Sequence, residues 1–479
     1  VRRIEKVKGM AINRRNFIKG IGAGVACSVL PSSVVFAENR KLFSGDRLVF
    51  PRLRYDVIVV GAGPAGIPAA IAAARSGARV VLIEEDMAPG GAPVDMFVTF
   101  MCGGPRVGLF RRLVQDLNRS YPLGGRPSDT FGEAGGDGKN HWWMPSSFQQ
   151  AYQRMIAEQK NITLMCGAPV VDTLVEASGN RNRVKGVRVM RNGVFQEIEA
   201  PVTIDATGTG LVAATAGCQV MYGSEAKSDF GESYGLEVSD GKVQPCTQMY
   251  ISQRVRNDAR FPIDSFKSGV LENDHRRWAQ EQNREEFYRN NTGIFLHWGV
   301  SVFCKDTTDP VQVAEAQAKA LAGQSKMMQD LQDAGFCVHL APKIGIRECR
   351  RIKGETVVTV DDLFNGTQPD DKIADARYAI DAWGWNIPEE VKRKVKPYGI
   401  PYRALVPLDT EGLLTAGRII SGTRLAHSSY RVQPICSSIG EAAGTAAAMA
   451  SLNKTSVRNI DVRKLQSELE GYGLFDASK

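Results

Sequence analysis

The stretch from Tyr55 to Glu85, YDVIVVGAGPAGIPAAIAAARSGARVVLIEE, constrains this chain more than any other feature. An apolar run, a glycine turn, an alanine-rich segment of helical length and a second apolar run follow one another as a single βαβ unit. Gly61 permits the tight turn after the first strand, Gly63 lets the main chain approach a pyrophosphate, and Gly66 lets the helix lie close to the sheet. Pro64 and Ala65 complete the small-residue turn. The helix start presents unpaired N–H groups and a positive dipole end to phosphate. Glu84, with Glu85 beside it, closes the second strand, where a carboxylate can accept hydrogen bonds from a ribose diol. The ligand implied carries two phosphates and an adenosine ribose. Pro68 stands about a turn inside the helix and is read as marking a shifted first turn.

Two later segments repeat the strand-to-turn grammar: residues 202–210, VTIDATGTG, and residues 412–422, GLLTAGRIISG. With them the chain resembles the FAD-dependent oxidoreductases of the glutathione-reductase-like superfamily. Similar too are the Gly90-Gly91 pair, the Cys102-Gly103 pair, the RExRRIxG stretch at Arg347 to Gly354, and the AGR…H…R…P…GEAAGTAAA block at Ala416 to Ala448. The resemblance covers about Tyr55 to Ala450. It implies FAD, held non-covalently, with Ala206, Thr207 and Gly208 closing the cofactor domain and Gly417 reaching the ribityl chain. It also places the backbone beside Val170 or Val171 near the adenine. Arg418 stands where the superfamily often has an aspartate, so that contact does not carry over. No second GxGxxG with a ribose acid follows, so no nicotinamide site is expected.

The implied fold class is α/β: a glutathione-reductase-like FAD-binding Rossmann domain with a β-meander, plus a mixed α+β cap or substrate domain. The FAD-binding domain is expected over 54–223 and 399–455, the cap over 224–398 and a C-terminal tail over 456–479. Residues 147–159 read as an amphipathic helix. The stretches 162–166, 169–177, 184–190 and 194–200 read as strands of a meander crossing the main sheet, with Asn192-Gly193 as a hairpin turn. Residues 122–140 are glycine-rich and read as a long loop, ending in His141, Trp142 and Trp143, which could line a substrate mouth. Helices are expected at Asn273 to Asn290 and Pro310 to Ala334.

At the N-terminus, Arg14-Arg15 and Phe17 precede an apolar run that ends at Val35-Phe36-Ala37. This reads as a twin-arginine signal peptide over 1–37, cleaved after Ala37, with the export machinery as partner and a periplasmic or otherwise exported destination. The run is too short and too rich in glycine for a stable membrane span. The leader carries seven Lys or Arg and one Glu, so the net charge of +8 falls to +2, with 53 basic and 51 acidic side chains. That near-neutral balance gives no footprint for nucleic acid. Nine cysteines are scattered without CxxC or zinc spacing, so no metal is expected and most thiols are read as buried small hydrophobes. Cys102 is the one to watch.

The block from His427 to Gly444, HSSYRVQPICSSIGEAAG, carries the most chemistry. Pro434 opens a helix that the serines can cap, and its start would favour a neighbouring anion by about 0.3–2 kcal/mol. Gln433, just before it, is grouped with the cofactor contacts. His427, with an ordinary pKa near 6.5, could take a proton from substrate, and Arg431 could hold an anionic substrate or a flavin carbonyl. The basic run Arg347, Arg350, Arg351 reads as a solvated or structural face from which one arginine could turn toward the site. The function expected is an exported FAD-dependent oxidoreductase. Hydride would pass between a small organic substrate and flavin, and electrons to a separate quinone, cytochrome or dioxygen. Alternatives are a fumarate or succinate type of flavoenzyme, or a non-catalytic FAD electron-transfer subunit.

Overall fold

Strand Val57–Val60 is VIVV and strand Val80–Ile83 is VVLI, and every one of these side chains is buried. A strand covered on both faces has no polar side to alternate with, which is why the sequence shows continuous apolar runs. The computed structural model describes residues 43–44, 47–48, 52–120, 124–127, 139–262, 293–383 and 387–475. Residues 1–47 and 48–479 form separate units. In the larger one, five strands make a parallel sheet in the order Leu413–Thr415, Val202–Asp205, Val57–Val60, Val80–Ile83, Ile162–Met165.

Alternate residues of the central strands feed two apolar layers. Val57, Val59, Val80 and Leu82 join helices Gly66–Arg75 and Gln433–Leu452 in one. Ile58, Val60, Val81 and Ile83 join Val184, Val187, Val189 and Ile198 of the antiparallel meander in the other. The meander consists of Val170–Ser178, Arg181–Arg191 and Val194–Glu199, with Asn192 and Gly193 both at positive φ in the turn between the last two. The expected strand at 162–166 is not part of it. That segment is the edge strand of the parallel sheet, with Val80 opposite Ile162, because it follows crossover helix Pro145–Ala157 and returns in the same direction as its neighbour.

The two helices of the first layer approach to backbone contact at two glycines. A Cβ on Gly440 would lie 2.0 Å from the Ala65 carbonyl oxygen, and one on Gly444 would lie 2.0 Å from that of Ala69. Glycine at this four-residue spacing is therefore a steric requirement of the contact, and it draws the 433–452 helix directly onto the turn at Ala65.

The glycine-rich 122–140 stretch is not wholly a loop. Gly124–Pro127 pairs antiparallel with Lys139–Trp142, a ladder made by main-chain groups that leaves no side-chain periodicity to read. Trp142 and Trp143 are buried in apolar clusters and so line no mouth, and the His141 side chain lies outside the described residues. So does the helix expected at 273–290. Helix Pro310–Asp333 is present, opened by Asp309, whose carboxylate accepts from Val311 N. Tyr250, Phe261, Phe295, Met327, Leu331 and Phe336 form a separate apolar cluster between that helix and the antiparallel strands Ile294–His297, Tyr250–Arg254 and Phe336–Leu340.

Candidate functional site

The glycine turn after Val60 is built as the sequence demanded, and each glycine answers to a different neighbour. Gly61 has φ +96°, and a Cβ there would sit 2.6 Å from the Ala206 carbonyl oxygen. On Gly66 it would lie 1.7 Å from the Gly61 carbonyl oxygen. On Gly63 it would meet, among the described residues, only Gly91 Cα at 3.8 Å. So Gly61 and Gly66 are required by the protein's own packing, while the space over Gly63 is left open. The Gly90-Gly91 turn closes over the cradle through Gly90 N donating to the Ala62 carbonyl at 2.8 Å. Pro68 is the third residue of helix Gly66–Arg75; Ile67 N donates to the Gly63 carbonyl and Ala69 N to that of Ala65, so the proline omits one bond from the first turn of this ladder.

Glu84 is buried, with one carboxylate oxygen accepting from Ala62 N at 2.6 Å and the other from Asp86 N at 3.1 Å. It thus locks the second strand's end to the glycine turn; burial raises its pKa and these two amides oppose the rise. Glu85 points outward and pairs with Lys343 Nζ, which also pairs with Asp86 at 2.6 Å. The carboxylates of Glu84, Glu85 and Asp86 lie within 4.8 Å of one another. Nearby, burial and the charge of Asp86 push Asp95 up to about 7. Val171 is exposed on the meander.

Ala206, Thr207 and Gly208 follow strand Val202–Asp205. The buried Asp205 accepts from Thr207 N and Oγ1 through one oxygen and from Ala213 N through the other. Gly417, at φ +78°, approaches Ala65: a Cβ would lie 2.8 Å from that of Ala65. Arg418, which resemblance left without a role, donates from Nε to the Gly208 carbonyl at 2.8 Å and from Nη1 to the Ile346 carbonyl at 2.5 Å. It ties the late glycine turn to the ATG turn. Burial pulls its pKa below the usual arginine range.

His427 and Arg431 belong to helix Arg424–Tyr430 and its C-terminal flank, not to a loop; Thr423 caps the helix by accepting from Ala426 N. The following helix, Gln433–Leu452, has Val432 at its N-cap without a side-chain bond, so no serine caps it: Ser437 and Ser438 are buried inside. Gln433 Nε2 donates to the Val98 carbonyl at 2.6 Å, while its Oε1 is buried and unpartnered. His427 is 1 % exposed and its Nδ1 is buried without a partner. Burial, followed by the charges of Arg351, Arg431, Arg418 and Arg424, holds its pKa well below 6.5. The ordinary value assumed from sequence is therefore corrected: His427 is neutral throughout the physiological range.

Below about pH 6.5 the unfolded chain binds a proton at this imidazole that the folded chain refuses, so His427 costs stability as pH falls from there toward its folded pKa. Thermal midpoints measured from pH 7.5 to 5 should fall less steeply in His427→Asn than in the natural protein. Equal slopes would show that the imidazole protonates freely in the folded state.

The basic run is not a solvated face. Arg351 is fully buried, donating to Glu348 Oε1 at 2.5 Å, to Glu225 Oε1 at 2.6 Å and to the Gly223 carbonyl. Glu348 Oε2 accepts from Arg424 Nε at 3.0 Å and from Gln244 N at 2.9 Å. Arg424 also reaches Ser224 Oγ, and Gln244 Nε2 donates to Ser428 Oγ. Arg350 donates to the Thr209 carbonyl, and Arg347 to the Pro245 carbonyl while lying over the Trp383 ring. Arg431 Nη2 donates to Asp381 Oδ2 and to the Asp381 carbonyl, each at 2.9 Å. Sequence reasoning missed Glu348, Glu225, Arg424, Gln244 and Asp381. A lone carboxylate among three arginines at 347–351 was the one signal for Glu348. Cys102 is pushed by burial up to about 11, so it is a protonated thiol at neutral pH.

The chain is similar over short stretches to several curated proteins. The chain is 42 % identical over 67 residues to the alpha chain of sarcosine oxidase from Rhizobium meliloti (strain 1021), covering 14 % of this chain and 7 % of that protein. It is 38 % identical over 76 residues to the acrylate reductase flavoprotein subunit of Shewanella woodyi, covering 16 % and 14 %. To an opine oxidase subunit of Agrobacterium tumefaciens it is 57 % identical over 37 residues, covering 8 % and 7 %. The chain thus spans only about a seventh or less of the curated relatives it matches. Among solved structures, the geranylgeranyl bacteriochlorophyll reductase-like protein of Thermoplasma acidophilum is 13 % identical with a TM-score of 0.38, covering 88 % of this chain and 83 % of that one. The Sdh1 complex of Mycobacterium smegmatis in the apo form is 14 % identical with a TM-score of 0.39, covering 86 % and 70 %. The description FAD dependent oxidoreductase belongs to the family whose pattern matches residues 56–469. The chain is a member of that FAD dependent oxidoreductase family, and its cofactor is FAD.

Proposed function

We propose that this chain is an exported oxidoreductase in which hydride passes between a small organic substrate and flavin, with electrons leaving to a separate quinone, cytochrome or dioxygen. One observation carries the reading. The segment that packs onto Ala65 of the phosphate cradle, through Gly417 and Gly440, also holds four buried side-chain polar atoms without partners: Ser421 Oγ, His427 Nδ1, Arg431 Nε and Gln433 Oε1. Buried polar groups are nearly always paired, so unpaired ones beside a ligand cradle are groups awaiting a ligand.

In this reading the open space at Gly63, with Pro64, Ala65 and the Gly90-Gly91 turn, receives the diphosphate. Glu84 is assigned to the ribose, Val171 to the adenine, and Ala206, Thr207, Gly208, Gly417 and Arg418 to the ribityl chain, while Glu85, turned outward onto Lys343, is left out of the cofactor contacts. FAD, when bound, supplies the two-electron acceptor. Gln433 and the helix start behind it face the ring. His427, kept neutral, offers an unprotonated nitrogen to the substrate and passes on any proton it takes, since the surrounding guanidiniums disfavour its charged form. The cap expected over 224–398 has support from the separate apolar cluster around Tyr250 and Phe295, which reaches only to about Phe336, whereas Val358, Leu363, Ile373, Ala376 and Tyr398 share the core of helix Gln433–Leu452.

Export rests on Arg14-Arg15, the apolar run and the Val35-Phe36-Ala37 ending, in residues outside those described. No described helix is long and apolar enough to cross a membrane. The three curated relatives are named as subunits of larger enzymes, which supports a partner chain as the electron acceptor.

The test is anaerobic titration of the FAD-loaded protein against a panel of small amines, hydroxy acids and unsaturated acids, the last against pre-reduced flavin. One class should bleach the flavin, or reoxidise it, at a rate that His427→Ala lowers by about 100-fold or more. Exchange of electrons with a partner protein alone, and with no small molecule, would show a carrier instead.

A further inference from the structure

We propose that the site takes a carboxylate-bearing substrate, its carboxylate received by Arg431 in the position that Asp381 holds in this structure. The inference rests on the reading of this pocket as the flavin site. A guanidinium presents Nε and one Nη as a planar fork that matches the two oxygens of a carboxylate. In Arg431 only one prong of that fork is used. Nη2 donates to Asp381 Oδ2 and to the Asp381 carbonyl at 2.9 Å each, and to Gln244 Oε1 at 3.4 Å, while Nε is buried with no partner.

Asp381 is therefore an incomplete occupant. Its main-chain carbonyl and Gln244 already hold Nη2 in place, so its carboxylate is not needed to aim the arginine. The Asp381 side chain is 33 % exposed against 13 % for Arg431, so the pair runs from solvent inward, and the aspartate can turn to water when a better-placed carboxylate arrives. A carboxylate spanning Nε and Nη2 would make both bonds of the fork. His427 Nδ1, four residues earlier and also buried without a partner, would face the same ligand. The local charge favours an anion: Arg351 and Arg424 are matched by Glu348 and Glu225, whereas Arg418 is held by two carbonyl oxygens.

The probe is acetate, with acetamide as its uncharged counterpart, titrated into FAD-loaded protein while the flavin absorbance is recorded. Acetate should perturb the band saturably and acetamide should not. Asp381→Asn, which removes the internal competitor, should tighten acetate about threefold. Arg431→Gln should weaken it about tenfold or more while retaining flavin. Equal responses to the two probes, or none, would overturn the proposal, as would weaker acetate binding in Asp381→Asn or flavin loss in Arg431→Gln. The contrast between acetate and acetamide in the natural protein decides the matter even where a variant does not fold. Protein that takes up no flavin at all would sink the functional reading itself, whereas flavin uptake without carboxylate preference sinks only this proposal.

Discussion

Gly63→Val yields a folded protein that does not retain flavin. The separation of those two effects follows from what a side chain at each glycine would meet. At Gly66 a Cβ would stand 1.7 Å from the Gly61 carbonyl oxygen and at Gly61 2.6 Å from that of Ala206, so substitution there forces the helix off the sheet. At Gly63 the nearest described atom is 3.8 Å away, an ordinary contact, and the residue's φ lies outside the left-handed region. The apo-protein should therefore unfold within about 1 kcal/mol of the natural chain. A valine there would occupy the approach of the diphosphate to the main chain, and flavin affinity should fall by roughly a hundredfold or more, about 2.8 kcal/mol. Absorbance near 450 nm after gel filtration, beside a chemical denaturation curve of the apo-protein, reads both quantities. A yellow variant would mean that the phosphates lie elsewhere.

Glu348→Gln destabilises the fold by about 3–5 kcal/mol, because it removes one charge from a fully buried set and leaves guanidiniums behind. Glu348 is 0 % exposed and binds Arg351 through one oxygen and Arg424 through the other. Glu225 can compensate only Arg351 through its side chain, since its second oxygen already accepts from Arg424 N. Arg424 would keep Ser224 Oγ but lose its carboxylate. The cost is far above that of an exposed pair such as Lys326 with Asp330, where the lysine is 85 % exposed and the contribution is well under about 1 kcal/mol. The damage should reach function as well. Arg424 opens the helix that carries His427, so flavin bleaching should be lost in any fraction that still folds. Denaturant midpoints at fixed pH test the first statement, and a loss below about 1 kcal/mol would show that water reaches these groups.

What the chain declares in its own order is the cradle. A βαβ unit places strand, turn and helix within thirty residues, so the glycines at 61, 63 and 66 and the acid at 84 were legible in the residues alone, and the two central strands betrayed themselves by unbroken apolar runs. The long glycine-rich stretch misled because a ladder of main-chain hydrogen bonds leaves no periodic side-chain trace, and the strand at 162–165 was misassigned because strand partners are not written in a strand's own residues.

Tertiary structure decided everything that depends on partners distant in sequence. Arg351 is an interior charge because Glu225, 126 residues away, and Glu348 meet it. Arg418 has its role because the Gly208 carbonyl lies 210 positions earlier. His427 is neutral because folding removes water from it and surrounds it with guanidiniums contributed by other segments. Local sterics are encoded residue by residue, whereas desolvation and charge pairing arise only when the chain closes on itself, and it is these that set what the site can do.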